Sequence, residues 1–143
     1  MKVETSRFGS IEIDDDKVLT FPKGILGFPE DRRYALLPHD EKSPFFWLQS
    51  LDSPELAFVV INPALILEDY SFEIPTDMER DLDLREPGQA EVLVLVSFRQ
   101  GSDGKPSSLT ANLLGPLVIN VENRKAMQAV LDPKRYPVRY EFS

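Results

Sequence analysis

Apolar residues come in short bursts along this chain, some alternating with polar residues and some unbroken, and Gly or Pro closes most of the bursts. Alternation marks a half-buried strand, and a short unbroken run fits a strand buried on both faces. Lys2–Arg7 and Ser10–Ile13 therefore predict a hairpin that turns at Gly9-Ser10. Lys17–Phe21, Tyr34–Leu37, Phe45–Leu51 and Leu56–Ile61 predict further strands, and Pro22–Phe28 a Pro-Gly loop. Ser108–Leu113, Leu117–Val121, Ala126–Leu131 and Val138–Phe142 extend the series. The runs ELAFVVIN (Glu55–Asn62) and EVLVLVSF (Glu91–Phe98) are apolar on both faces, which puts them inside a barrel or between packed layers.

Helix is scarce. Thr76–Leu84 has Thr76 as N-cap candidate and Glu79 three residues on, the spacing of a capping box. Asn123–Val130 reads equally as helix or strand, and Arg99–Lys105 reads as a polar hairpin tip. Twelve prolines argue against long regular elements. About ten short strands at regular spacing predict an all-β barrel or sandwich. At 143 residues the expectation is a single domain, residues 1–143, large enough to bury a core without metal or disulfide.

Composition narrows the chemistry. The chain has no Cys, which excludes disulfides, thiolate zinc sites and cysteine nucleophiles, and fits a reducing compartment. Its charged, alternating N-terminus is unlike a signal peptide, and Val92–Val96 is far too short to cross a bilayer, so a cytoplasmic location is expected. Sixteen basic against 24 acidic residues give a net charge of −8. Such a surface disfavours phosphate backbones, and its long-range field attracts a basic protein. It also simply aids solubility.

Candidate catalytic groups do not assemble into a site. His39 stands in LPHDEK, and no second His or Cys completes a zinc set, so an exposed turn histidine is expected. Asp14–Asp16 begins like a calcium loop, but Leu19 and Ile25 occupy the positions that require Gly and Glu. GKPSS lacks the hydroxyl residue after Lys105 that a phosphate loop needs. These absences predict no enzyme, no metal and no cofactor. The rival readings are a small-ligand-binding β-barrel, a hydrolase using carboxylates that the sequence does not pair, or a nucleic-acid-binding barrel.

Three segments in order carry a resemblance: LTFPKGILGFPE (Leu19–Glu30), PFFWLQSLDSPELAFVVINP (Pro44–Pro63) and LTANLLGPLVIN (Leu109–Asn120). Together they resemble the FliW family of flagellar assembly factors, over residues 3 to about 131. ENRKAMQAVL departs from the family's Gly-Lys-Gln there and keeps Gln128 and Val130-Leu131. The resemblance implies a compact antiparallel β-barrel-like domain with one or two short helices. It implies a non-catalytic protein that binds flagellin in the cytoplasm. It further implies binding of CsrA, a small basic repressor of flagellin translation, which is antagonised allosterically once flagellin is exported. A monomer that touches neither nucleic acid nor membrane is the expected state.

Within those segments Gly24, Gly27, Gly115 and Pro116 read as structural corners, where Gly reaches backbone angles closed to other residues and Pro ends a ladder. Asn112 and Asn120 flank the last corner, either satisfying its backbone groups or, for Asn112 and neighbouring Leu113, forming a binding edge. In a strand Phe45 and Trp47 share one face and Phe46 takes the other, so one face presents an aromatic surface or is covered. Phe46, Trp47, Gln49, Asn62, Asn112 and Leu113 are the candidate partner-binding residues.

Overall fold

The computed structural model describes residues 1–100 and 106–142, with the side chains of residues 1–98 and 109–142. Its strands are β1 (Lys2–Thr5), β2 (Gly9–Glu12), β3 (Leu19–Thr20), β4 (Arg33–Pro38), β5 (Phe46–Ser50) and β6 (Ala57–Ile61). They continue as β7 (Ala90–Gln100), β8 (Pro106–Ala111), β9 (Leu117–Asn120), β10 (Ala126–Gln128) and β11 (Tyr140–Phe142). The helix α1 spans Thr76–Asp81.

Antiparallel pairing runs in the order β10-β9-β7-β6-β5-β4-β3. Thr20 then bridges Lys125, and its N–H donates to the Arg124 carbonyl at 2.9 Å, so the two ends of the curled sheet meet. Each strand of the path sends apolar side chains inward: Leu19, Tyr34, Leu48, Val60, Leu93, Leu117, Ile119 and Ala126 form one buried cluster, plugged by Phe21 and Ile25. At roughly 25 cal/mol per Å² of apolar surface removed from water, this interior is the main stabilising term.

The outer face is covered in three places. Residues from the β6–β7 excursion (Ile66, Leu67, Tyr70) lie over Ile61, Val94 and Val96. Met78 and Leu82 of the α1 region pack on Val118 and Ala129. The β1–β2 hairpin lays Val3 and Ile13 on Ala35. Both-sided burial explains why β6 and β7 are apolar without alternation.

β7 holds the architecture together along one edge. Its Leu93 opposes Leu117 of β9, while Val96 opposes Ala111 of β8. Three steps along β7 thus face six along the opposing chain, and the three surplus residues loop out between Asn112, whose N–H still donates to Leu95 O at 2.9 Å, and Leu117. The expected corner is present, but it is a jog between two strands on one edge, not a reversal.

Several boundaries move. The first turn occupies Ser6–Phe8, with Gly9 already opening β2. β8 ends at Ala111, short of the expected Leu113, because Asn112 enters the jog. Asn123–Val130 is no helix: Arg124 has φ 65°, and β10 begins at Ala126. Thr76 is not the N-cap; Pro75 occupies that position, no side chain caps the helix, and α1 stops at Asp81. The expected hairpin tip at Arg99–Lys105 lies outside the described residues beyond Gln100.

Candidate functional site

Two of the signature segments meet at one rim of the barrel. Phe21 enters the core edge-on to Tyr34, with ring centroids 5.3 Å apart. The chain then turns at Gly24, whose φ is +68°. A Cβ there would lie 2.5 Å from the Phe28 carbonyl oxygen, so glycine is required twice over. Ile25 turns inward at 1% exposure, while Leu26 at 68% and Phe28 at 39% are turned outward. Gly27, also left-handed at φ +92°, lets the turn close through the Phe28 N–H donating to Ile25 O.

Gln128 ties this loop to the jog. Its Oε1 accepts from Leu26 N–H and its Nε2 donates to Gly115 O, both at 2.9 Å. Asn112 Oδ1 accepts from Leu114 N–H at 3.1 Å and Gly115 N–H at 2.9 Å. Gly115 does not have the positive φ expected of it; a Cβ there would lie 2.7 Å from Gln128 Nε2 and 3.2 Å from Asn112 Nδ2, so a side chain fits only if these amides move aside. Val130, 66% exposed, stands beside the exposed Leu26 along a shallow apolar groove.

Aromatic contacts continue from core to rim. Tyr34 meets Phe58 at 6.2 Å, and Phe58 meets Phe28 edge-on at 5.2 Å. Phe46 opposes Val60, and Val60 opposes Leu95, so Phe46 shares their inward face. Beyond Phe58 a groove of about 430 Å³ runs past Leu95 to Phe98, Val138 and Arg139. Phe98 is 62% exposed. Contiguous exposed apolar surface of this kind marks interaction sites.

Trp47 lies on the opposite face. The Arg7 guanidinium sits 4.1 Å over its ring, Phe8 meets it edge-on, and His39 stacks at 6.4 Å. The β1–β2 hairpin is therefore what covers this aromatic. His39 is exposed, with Nδ1 3.3 Å from Asp40 Oδ2.

The six candidate residues are thus not brought together. Phe46 lies on the inward face of β5, 37% exposed, and Trp47 lies under the hairpin. Gln49 is fully buried, its Nε2 donating to the carbonyls of Ser50, Pro54 and Leu56, so it holds a loop and presents nothing to a partner. Leu113 is likewise fully buried. Asn62 caps a short 3-10 turn at Pro63–Leu65 by accepting from Ala64 N–H. Asn120 is a structural knot: Nδ2 donates to Leu82 O at 2.8 Å, and Oδ1 accepts from Glu122 N–H at 2.9 Å. Sequence reasoning missed Leu26, Phe28 and Val130, although an apolar residue between two closely spaced glycines is a signal for side chains forced outward.

The charged groups near the core are structural. Ser50 Oγ donates to buried Asp31 at 2.8 Å. Burial raises the pKa of Asp52, but hydrogen bonds from Arg32 N–H, Arg33 N–H and the Arg33 side chain outweigh it and hold the carboxyl below its usual range. Burial first, and Asp31 and Asp52 next, push the Tyr34 hydroxyl well above its usual range. Among the described residues no group of three or more His, Asp or Glu is placed to hold a metal ion, and no helix is long and apolar enough to cross a membrane.

Comparison with known proteins agrees along almost the whole length. A sequence model of the FliW protein family matches residues 2–142. The flagellar assembly factor FliW of Syntrophus aciditrophicus (strain SB) is 45% identical over 142 residues, covering 99% of this chain and 87% of that protein. Its counterpart in Natranaerobius thermophilus is 39% identical over 140 residues, covering 98% and 91%. A crystal structure of the flagellar assembly factor FliW superposes with a TM-score of 0.86 at 30% identity, covering 99% of this chain and 96% of that one. Motifs, curled antiparallel sheet and full-length similarity converge, and the chain belongs to the FliW family of flagellar assembly factors.

Proposed function

We propose that this flagellar assembly factor works in the cytoplasm by binding proteins and catalyses nothing. Its partners in this reading are flagellin and the translational repressor CsrA. Export of flagellin frees the chain to bind CsrA at a site away from the RNA-binding surface, and flagellin translation resumes. The observation that carries the reading is the rim built by the first and third signature segments. There, two left-handed glycines and the Gln128 bridge are spent on holding Leu26 and Phe28 out in solvent. Neighbouring exposed apolar side chains on a rigid loop mark an interaction surface, where a partner gains by covering them. The net charge of −8 suits a basic second partner.

The test is binding of purified flagellin and CsrA by surface plasmon resonance, using wild type, Leu26→Glu and Val130→Glu. Wild type binds both; each rim variant loses at least tenfold in affinity for flagellin. A wild-type chain that binds neither protein overturns the reading.

A further inference from the structure

The acidic charge of this chain is not spread over it. Residues 68–91, the later part of the β6–β7 excursion, hold nine carboxylates and two guanidinium groups, a net −7 out of −8 for the whole chain. All nine acidic residues are exposed. Both arginines are engaged within the segment, Arg80 with Asp77 and Arg85 with Asp83. The remaining 119 residues are together nearly neutral, so the net charge of the protein resides almost entirely in this segment.

The same segment encloses a groove of about 560 Å³, within the roughly 300–1,000 Å³ usual for ligand-sized clefts. Its apolar lining comes from Phe72, Ile74, Leu84, Ala90 and Val92. Phe72, Ile74, Leu84 and Ala90 lie at the edge of the cluster that packs α1 onto β9, and Val92 pairs with Val118 in the sheet, so the floor is anchored to the barrel. Glu73, Glu79 and Glu86 contribute to the wall. Arg85, the cation at the groove, is 3.2 Å from Asp83. Apolar floor and carboxylate wall together specify an occupant: apolar side chains to fill the floor, cations to meet the wall.

We infer that the groove between α1 and the start of β7 is a docking site for a short basic segment of a partner protein, one that interleaves large apolar residues with Arg or Lys. The assignment rests on the reading that the chain works by binding proteins. It places the basic partner's contact on elements separate from the Leu26–Phe28 rim. An apolar anchor supplies dwell time and the carboxylates supply steering, so the two contributions separate experimentally.

Residue-resolved NMR titration of the full chain with three twelve-residue peptides tests it: one alternating Arg and Leu, one alternating Arg and Ser, one alternating Glu and Leu. The Arg/Leu peptide shifts amides clustered in 72–92 and binds at least tenfold more tightly than either of the others. Glu73→Lys with Glu79→Lys weakens it at least tenfold. Glu30→Lys with Glu41→Lys, the same charge change at exposed sites elsewhere, weakens it less than threefold. Equal binding of the Arg/Ser peptide removes the apolar floor from the account and overturns the site. Equal loss in the two double variants reduces the effect to net charge and overturns it as well. Neither flagellin nor CsrA enters this titration, so its failure is distinct from failure of the wider function.

Discussion

Gln128 Nε2 donates to the Gly115 carbonyl oxygen at 2.9 Å, and a methyl group on Gly115 would lie 2.7 Å from that same nitrogen. The missing side chain at Gly115 and the amide of Gln128 are two halves of one contact. Gly115→Ala forces the amide aside and, with it, weakens the bond from Leu26 N–H. We expect a loss of about 1–2 kcal/mol, the worth of one or two hydrogen bonds with some strain. Gln128→Ala loses a similar amount. The double variant loses clearly less than the sum, because the clash disappears with the amide; a coupling of about 1 kcal/mol is expected from urea denaturation of the four proteins. Additive losses contradict the contact.

Asn112→Ala separates support of the jog from partner binding. Its Oδ1 serves two backbone N–H groups, of Leu114 and Gly115, which stay on a half-buried turn after truncation. The expected cost is about 1–2 kcal/mol, with affinity of the folded fraction for the proposed partners, flagellin and CsrA, unchanged. A denaturation midpoint and a dissociation constant on the same variant decide the matter. Retained stability with lost affinity assigns Asn112 to an interface instead.

Gly115 also shows where sequence reading reached its limit. A glycine serves either a left-handed φ or the absence of a side chain, and the two uses look alike in one sequence. Gly24 serves both and Gly115 only the second. Gln49 misled for a related reason. A polar residue in a strand suggests a contact surface, whereas this one turns inward to satisfy three loop carbonyls. The Thr76–Glu79 spacing failed as a cap because Pro75 takes the N-cap position. What was legible was the burial on both faces in the middle of two strands, at Val60-Ile61 of β6 and Leu93-Val94 of β7, since a period-free apolar run there has no solvent face to offer. The rim was half legible: the loop could be read, but which side chains it turns outward depends on φ at Gly24 and Gly27. The 560 Å³ groove joins Phe72 to Val92 across α1, and local pattern does not predict that approach.

Asn120→Ala should be the most damaging of the asparagine changes. Asn120 is 1% exposed, and its amide joins the end of α1, through Leu82 O, to the turn after β9, through Glu122 N–H. Removing it takes one of two amide donors from Leu82 O, the other being Asn123 Nδ2 at 3.0 Å, and takes the acceptor from Glu122 N–H. A cavity is also left at a buried site, and a loss of about 2–3 kcal/mol follows. Thermal denaturation checks the size. A loss below that of Asn112→Ala contradicts the idea that this residue locks the acidic excursion to the barrel.

Acid sensitivity should trace in part to Asp52. Its folded-state pKa lies below the ordinary 3.8, so its contribution to stability is fully present above that value and lost as pH falls through the folded pKa. The bonds responsible run from Arg32 N–H and Arg33 N–H at 2.9 and 3.0 Å and from the Arg33 guanidinium at 3.0 Å. Asp52→Asn lowers stability near pH 7 by roughly 1 kcal/mol. Below the folded pKa the wild type has lost the same contribution, and the two proteins converge. Urea midpoints for both across pH 2.5 to 7, spanning about 1 unit or more on each side of an ordinary carboxylate, check this. A gap that stays constant across the range contradicts the assignment to charge.

Trp47 reports on whether the β1–β2 hairpin stays closed. It is the only tryptophan in the chain, so its fluorescence comes from one site. One face lies under Arg7, and the hairpin's other hold on this region includes Ser6 N–H donating to Pro54 O at 2.9 Å. An exposed cation–π contact contributes about 0.5–1 kcal/mol, so Arg7→Ala lowers global stability by no more than that. Its local effect is larger in proportion, because the hairpin forms a two-stranded sheet of its own and small two-stranded sheets are marginal alone. The variant should shift Trp47 emission to longer wavelength and speed amide exchange in residues 2–12 while leaving β4–β7 protected. His39→Ala removes only the weaker stack at 6.4 Å, so stability should change by less than about 0.5 kcal/mol and hairpin exchange stay as in wild type. If Arg7→Ala leaves both emission and exchange unchanged, the hairpin is held by Val3, Ile13, Phe8 and the Ser6–Pro54 bond without Arg7, and the cation over Trp47 has no part in closing it.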